Sequence, residues 1–337
     1  MRKHFLKRAA GLFLACGMVV SSMQGMAASQ AAVEKAHTEK NLLPLTKGEI
    51  GSFYVTNKGK LRAFTTGRDD VQSVYQWTGK KFKNVKDPMS DFTYSVNKKK
   101  FTGYTAPAMN KKGTAYYIAD LTKVYKYNKK GKVTAKVNLK KKLNLNTNTK
   151  YINDLIWLKK DLVAIDTWQM GGESGGIHLV DLKKKKIVRS YAKKYNELLG
   201  GANNVIYVSS GKASAGNEQL HKLDAASGKV KKTLSTKSLR DLGKDCTDKD
   251  DDYGYLKDAS FASCVYDGKL YLKYLTGVYV WNESKGSFGQ VIDGSSNFSA
   301  GKLYGGRMQF ASKNKLYVIG YRTDSSSPTD FYEYTIQ

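Results

Sequence analysis

The sequence predicts an all-β fold, a single β-propeller of six four-stranded blades. Three observations carry this: a β-rich tetrad recurs six times at blade-like spacing, companion strand patterns accompany it, and no long stretch keeps a helical period with caps. The tetrads are Leu61-Arg62-Ala63-Phe64, Ala115-Tyr116-Tyr117-Ile118, Leu162-Val163-Ala164-Ile165, Val205-Ile206-Tyr207-Val208, Leu270-Tyr271-Leu272-Lys273 and Leu316-Tyr317-Val318-Ile319. They stand about 54, 47, 43, 65 and 46 residues apart. A solenoid would repeat at a shorter period, and a sandwich need not repeat at all.

Each tetrad is followed by a second run rich in aromatic and β-branched residues, at 74–77, 124–127, 177–180, 220–223, 278–281 and 331–334. Such side chains favour a pleated, half-buried surface. A third run follows a tight basic turn in five copies, at 82–85, 133–137, 187–191, 230–234 and 288–291, and candidate inner strands precede the tetrads, clearest at 53–55, 155–157, 261–266 and 308–311. The sixth copy reaches Gln337 without an outer strand. An unpaired edge is an aggregation hazard, so residues 42–47 are expected to pair there and close the ring.

The first residues read as a three-part export signal: basic Arg2, Lys3, Lys7 and Arg8, an apolar run over 9–20, then small residues at Gly25, Ala27 and Ala28. The apolar core is about a dozen residues, short of the roughly 20 needed for a permanent span. The expected organisation is therefore a signal peptide over 1–28, a flexible segment over 29–41 and a propeller over 42–337. A lipoprotein reading through Cys16 fits poorly, because Phe13 and Leu14 depart from that pattern and the apolar run continues past the cysteine. The expected location is extracellular, in association with the cell wall.

The formal net charge is +28, about +24 once the four basic residues of the leader are gone. An exported protein with this excess meets anionic envelope polymers and acidic glycans before nucleic acid. The basic stretches lie between strand patterns, without the helix or interleaved stacking aromatics of a nucleic-acid reader. The expected partners are an anionic envelope polymer or acidic glycan, with a protein as a further class, and neither nucleic acid nor a membrane span.

In a propeller blade the turns after the first and third strands open on one face. Both sets are lysine-rich here, with Lys80, Lys81, Lys129, Lys130, Lys183, Lys184, Lys185 and Lys186 as the expected polyanion-docking residues. The opposite face receives the longer connections, where ligand sites usually occur. There Trp168, Glu173, Tyr253, Tyr255, Asp69, Asp70 and Arg322 are the candidate ligand-binding residues, the aromatics suiting sugar rings. Trp77 and Trp281 end strands and are expected to pack between blades.

The strand–Asp–Gly-turn–strand unit, best seen in Leu223-Asp224-Ala225-Ala226-Ser227-Gly228-Lys229-Val230 and more loosely in Tyr127-Asn128-Lys129-Lys130-Gly131-Lys132-Val133, resembles the quinoprotein-like and YVTN-type propeller repeats. That resemblance implies a fold. The docking Trp that quinoproteins of that group carry after the Gly-Lys turn is replaced by Lys231, Lys232 or Thr134, and the blade count is six rather than eight, so no quinone cofactor is expected.

Four local patterns remain. Asp248, Asp250 and Asp252 alternate as Ca2+ ligands can, but Tyr253 stands where an EF-hand wants Gly and Ala259 where it wants a bidentate acid, so a solvated acidic loop competes with a Ca2+ site. Cys246 and Cys264, the pair left after signal removal, are readable as one disulfide in an oxidising exterior, the alternative being two buried thiols. Gly172-Glu173-Ser174-Gly175-Gly176 matches a hydrolase motif that needs a strand turning into a helix, whereas 177–186 reads as a strand and a turn. His178 and His221 occupy equivalent repeat positions, and no catalytic residue is assigned. The leading functional expectation is a non-catalytic binding or scaffold protein. The runner-up is a hydrolase or lyase on acidic polysaccharide, using carboxylates such as Asp69, Asp70, Asp166 or Glu173, and convergence of carboxylates on the central channel would favour it.

Overall fold

A computed structural model describes residues 37–43, 49–66, 73–87, 93–96, 99–102, 107–146, 148–170, 173–191, 195–211, 219–237, 239, 262–274, 277–292, 304–321 and 330–337. The chain forms a six-bladed β-propeller of four-stranded antiparallel sheets. After β1 (His37–Asn41), blade one contains β2 (Glu49–Val55), β3 (Leu61–Thr66), β4 (Ser73–Trp77) and β5 (Phe82–Asn84). A small hairpin, β6 (Thr93–Val96) and β7 (Lys99–Thr102), lies in the connection to blade two. Blade two holds β8 (Ala108–Met109), β9 (Ala115–Ala119), β10 (Lys123–Asn128) and β11 (Val133–Asn138), and blade three holds β12 (Lys150–Lys159), β13 (Leu162–Gln169), β14 (Glu173–Asp181) and β15 (Lys186–Ser190). Blade four comprises β16 (Tyr195–Ala202), β17 (Val205–Ser210), β18 (Gln219–Asp224) and β19 (Val230–Leu234). Blade five comprises β20 (Ser263–Tyr266), β21 (Lys269–Tyr274), β22 (Gly277–Asn282) and β23 (Ser287–Ile292). Blade six takes β24 (Tyr304–Ser312), β25 (Lys315–Tyr321) and β26 (Asp330–Ile336) from the C-terminus and β1 from the N-terminus.

The N-terminus therefore closes the ring, but through His37–Asn41 rather than 42–47, so the segment expected to be flexible contains the closing strand. The reason is chemical. His37-Thr38-Glu39-Lys40-Asn41 is polar and suits an outer edge, where residues 38–40 are exposed. Leu42 could not remain there; it turns inward, wholly buried, with its N–H donating to the Phe331 carbonyl at 2.6 Å. Burying a leucine side chain stabilises by roughly 1.5–3 kcal/mol.

The tetrads form the second strand of each blade and are buried on both sides, which explains their near-continuous apolar character. Alternate residues face the two neighbouring blades. Val163 and Ile165 pack with Tyr117 and Val124 of blade two, whereas Ala164 packs with Ile206 and Val208 of blade four. Among the described residues the buried hydrophobics form six clusters, one in each gap between blades. Trp281 and Trp77 pack in those gaps as expected.

The gap between blades six and one carries a buried acid. Glu333 accepts hydrogen bonds from Trp77 Nε1 and the Tyr317 hydroxyl, both at 2.8 Å, and lies 3.4 Å from Lys315 Nζ. Glu333→Leu would strand both donors inside the gap, at a cost of about 1–3 kcal/mol for each. Its urea midpoint should fall well below that of Glu333→Gln, which keeps an acceptor; equal midpoints would show that Glu333 does not hold the closure.

Candidate functional site: a charged tier in the central channel

The inner strands of the six blades surround a central cavity of about 580 Å3, within the usual range for small-ligand sites. Close packing at blades three to five depends on Gly200 and Gly201 in β16. A Cβ at Gly200 would lie 2.7 Å from Val265, and one at Gly201 2.6 Å from Leu158.

Three charged residues project from inner strands at this cavity, and each directly follows an irregularity in strand pairing. Asp154 follows the shift between Ile152 and Asp154, Glu197 that between Tyr195 and Glu197, and Arg307 that between Tyr304 and Arg307. Bulges of this kind re-aim side chains and are common beside functional sites. Gly306, at φ +92°, makes the last one feasible, since a Cβ there would sit 1.9 Å from the Ile319 carbonyl oxygen. Arg307 Nη2 donates to Asp154 Oδ1 at 2.8 Å, joining blade six to blade three, its opposite in the ring.

Asp166, on β13 directly across from Asp154, is 6 % exposed and completes the tier. Burial lifts its carboxyl well above the usual carboxylate range, and the nearby Glu197 and Asp154 add to the rise, while backbone hydrogen bonds involving Leu198 and Thr167 oppose it. Asp166 thus keeps its proton to higher pH than an exposed carboxyl would. Cys264 also lines the cavity; it is a free thiol, and burial pushes it up to about 12, which makes it unreactive. The expected bridge to Cys246 is therefore not formed at Cys264, and Cys246 lies outside the described residues.

The lysine-rich turns are built by a recurring cap. In blades two to five the last residue of the third strand turns its side-chain oxygen onto backbone N–H groups of the turn: Asn128 to Lys130 and Lys132, Asp181 to Lys184, Asp224 to Ser227, Asn282 to Ser284 and Lys285. The Asp224 carboxyl is held low, at about 2, chiefly by the Ser227 N–H. This is the physical content of the Asp and Gly in the repeat. The strand order then places Lys80, Lys81, Lys129, Lys130 and Lys183, Lys184, Lys185 and Lys186 on one face, all exposed, together with Lys111, Lys160, Lys285 and Lys313 of the same sets of turns. Three acids on that face pair with strand lysines: Asp161 with Lys126, Asp224 with Lys231, and Glu283 with Lys222 and Lys232. The segregation is incomplete, since exposed Lys140, Lys141 and Lys142 connect β11 to β12 on the opposite face.

Of the candidate ligand residues, Trp168 is half-buried in β13 and packs on Tyr151 at 5.2 Å within its own blade. Glu173 begins β14, with its backbone paired to Gln169. Ser174 lies in the same strand, so the Gly-x-Ser-x-Gly match has no strand-to-helix turn. Asp69, Asp70, Tyr253, Tyr255, Arg322, Asp248, Asp250 and Asp252 lie outside the described residues. Among those described, no cluster of acids, His or Cys is arranged to hold a metal ion, and no helix is long and apolar enough to cross a membrane. His178 and His221 pair with the equivalent Ile165 and Val208, and each bonds neighbouring hydroxyls: His178 to Ser190 at 2.8 Å, His221 to Ser210 at 2.7 Å and to Thr233 at 3.1 Å. They serve the repeat lattice.

No family model matches the chain, and no curated protein matches it by sequence. Solved structures do. A luciferin-regenerating enzyme is 11 % identical, with 90 % of this chain and 97 % of that one covered at a TM-score of 0.53. Regucalcin of Agrobacterium tumefaciens, a calcium-binding protein, is 13 % identical, with 90 % and 94 % covered at 0.50. What is shared is the propeller. The WD40 domain of Neurospora crassa Pan2 is 8 % identical, with 88 % of this chain and 95 % of that one covered at 0.45. The resemblance to known propeller repeats thus holds at the level of fold.

Sequence reasoning missed Asp154, Glu197 and Arg307. The available signal was an acid interrupting an inner strand, as in Ile152-Asn153-Asp154-Leu155 and Asn196-Glu197-Leu198. The raised Asp166 carboxyl has a definite sign: its contribution to stability is fully present below the unfolded value of 3.8 and is lost as pH rises through the folded value. Asp166→Asn removes that loss. Its melting temperature relative to the native chain should therefore climb from pH 4 toward neutrality, and a pH-independent difference would show that Asp166 ionises normally.

Proposed function

We propose that this protein is an exported, non-catalytic binding or scaffold propeller. It docks on anionic envelope polymers through its lysine face and offers the opposite face to a glycan, peptide or protein. The observation that carries this reading is the strand order, which brings the first and third turns of successive blades, with their exposed lysines, onto one end of the disc. A rigid ring of cations spaced around a disc suits a repeating polyanion, which engages several turns at once. Attraction of this kind acts over about 10 Å at 0.1 M salt and weakens as salt is added.

Binding to purified cell wall or polyglutamate should fall steeply with ionic strength, and the triple variant Lys183→Glu, Lys184→Glu, Lys185→Glu should weaken it by about tenfold or more at low salt. Binding indifferent to both would overturn the docking face.

A second reading, a hydrolase or lyase on acidic polysaccharide, draws support from Asp154, Asp166 and Glu197 lining the same channel, with the Asp166 carboxyl raised by burial, since carboxyls with different environments in one site suit acid–base work. Release of reducing ends from polygalacturonate or hyaluronate, abolished by both Asp166→Asn and Glu197→Gln, would favour this second reading; no release favours the first.

A further inference from the structure

We propose that the lysine face takes its polyanion chiefly at blade three, through Lys160 and Lys185, and that the ligand is a polymer of closely spaced anions. The proposal rests on the docking reading and locates its anchor. Two residues ahead of the tetrad, the turn between the first and second strands passes through the left-handed region: Gly59 at φ 71°, Gly113 at 66°, Asn203 at 57° and Gly268 at 74° in blades one, two, four and five. In blade three that place is taken by Lys160, at φ 45°. The turn between the third and fourth strands repeats the pattern. Its left-handed residue is Gly131, Gly228 and Gly286 in blades two, four and five, and Lys185, at φ 52°, in blade three.

Glycine adopts this conformation freely, and Asn and Asp tolerate it, whereas a lysine there is held against its own preference. Among the described residues with positive φ, Lys160 and Lys185 are the two that are not Gly, Asn or Asp. Both are exposed on the lysine face of the same blade. The fold asks for lysine at neither place. The Lys160 turn is fixed through its backbone, because the Tyr117 hydroxyl and Trp157 Nε1 donate to the Lys160 carbonyl at 2.6 and 3.0 Å. Tyr207 makes the same contact with the carbonyl of Gly268, at 3.2 Å. The Lys185 turn is capped by Asp181, which accepts the Lys184 N–H at 2.8 Å, just as Asp224 accepts that of Ser227 ahead of Gly228. Strain kept at an exposed cation, where sibling turns relieve it with Gly or Asn, points to a use for the charge itself. Lys183, Lys184, Lys185 and Lys186 are consecutive and exposed, so the anchor concentrates cations in one turn. Lysine acts as a point charge without the planar fork of arginine, and such a cluster reads charge density rather than the shape of any one acid.

Two double variants of equal charge loss test this. One is Lys160→Asn with Lys185→Asn; the other is Lys129→Asn with Lys130→Asn, exposed lysines of a blade-two turn that lie outside the left-handed region. The blade-three pair should raise the urea midpoint while weakening polyglutamate binding at low salt by about tenfold or more, and the blade-two pair should leave the midpoint in place and weaken binding by about threefold or less. The native chain should hold polyglutamate at least about tenfold more tightly than hyaluronate, whose carboxylates are more widely spaced. Equal losses of binding from the two variants would overturn the anchor and leave the docking face standing, whereas failure of the native chain to bind polyglutamate at low salt would overturn both. A midpoint that does not rise on the blade-three replacement, or hyaluronate bound as tightly as polyglutamate, would also overturn the proposal.

Discussion

The structure depends on the antiparallel pairing of the first described strand with the last. His37 through Asn41 pair with Ile336 through Tyr332, so blade six is built from both ends of the chain. A propeller has no central core; its apolar surface is divided among gaps between blades, and each gap is dry only while both neighbours are held in the ring. Closure is reinforced around that pairing. Asn41 Nδ2 donates to Asp330, Lys40 Nζ sits 4.8 Å over the Trp77 ring, and Leu42 enters the gap between blades six and one beside Phe53 and Phe331. The same short segment thus completes a sheet and seals the adjoining gap.

The ring constraint also produces the channel. Six inner strands converge on one axis and leave a narrow polar space lined by whatever the strands present inward. Regular pairing would continue the apolar alternation to the axis. The irregularities in β12, β16 and β24 interrupt it and turn Asp154, Glu197 and Arg307 toward the opening. A cross-channel ion pair between opposite blades has a structural effect of its own, because it ties together elements that share no sheet and no gap. The Asp166 carboxyl is raised because burial, and then two neighbouring carboxylates, disfavour its charge.

Two regions of charge in different settings therefore coexist in a small disc. The lysine turns lie at high dielectric, where charges act collectively and are screened by salt. The channel tier, with the Asp154–Arg307 pair across it, lies at lower dielectric, where charges interact more strongly. In blades two to five the turns between the third and fourth strands are shaped by Asn and Asp side chains that accept backbone N–H groups, not by lysine side chains.

The sequence by itself determined the repeat, the number of blades and the strands that lie second and third in each, because those strands are buried between neighbours and must be apolar and β-forming to fill the gaps. It also determined the lysine-rich turns, since turn residues follow directly from strand order. Only the tertiary structure decided which N-terminal residues close the ring, because that choice depends on fitting Leu42 into a gap formed by residues nearly three hundred positions away. The channel tier was equally hidden: Asp154, Glu197 and Arg307 come from three blades, and their shared inward direction arises from local shifts in pairing that leave no periodic trace in the chain.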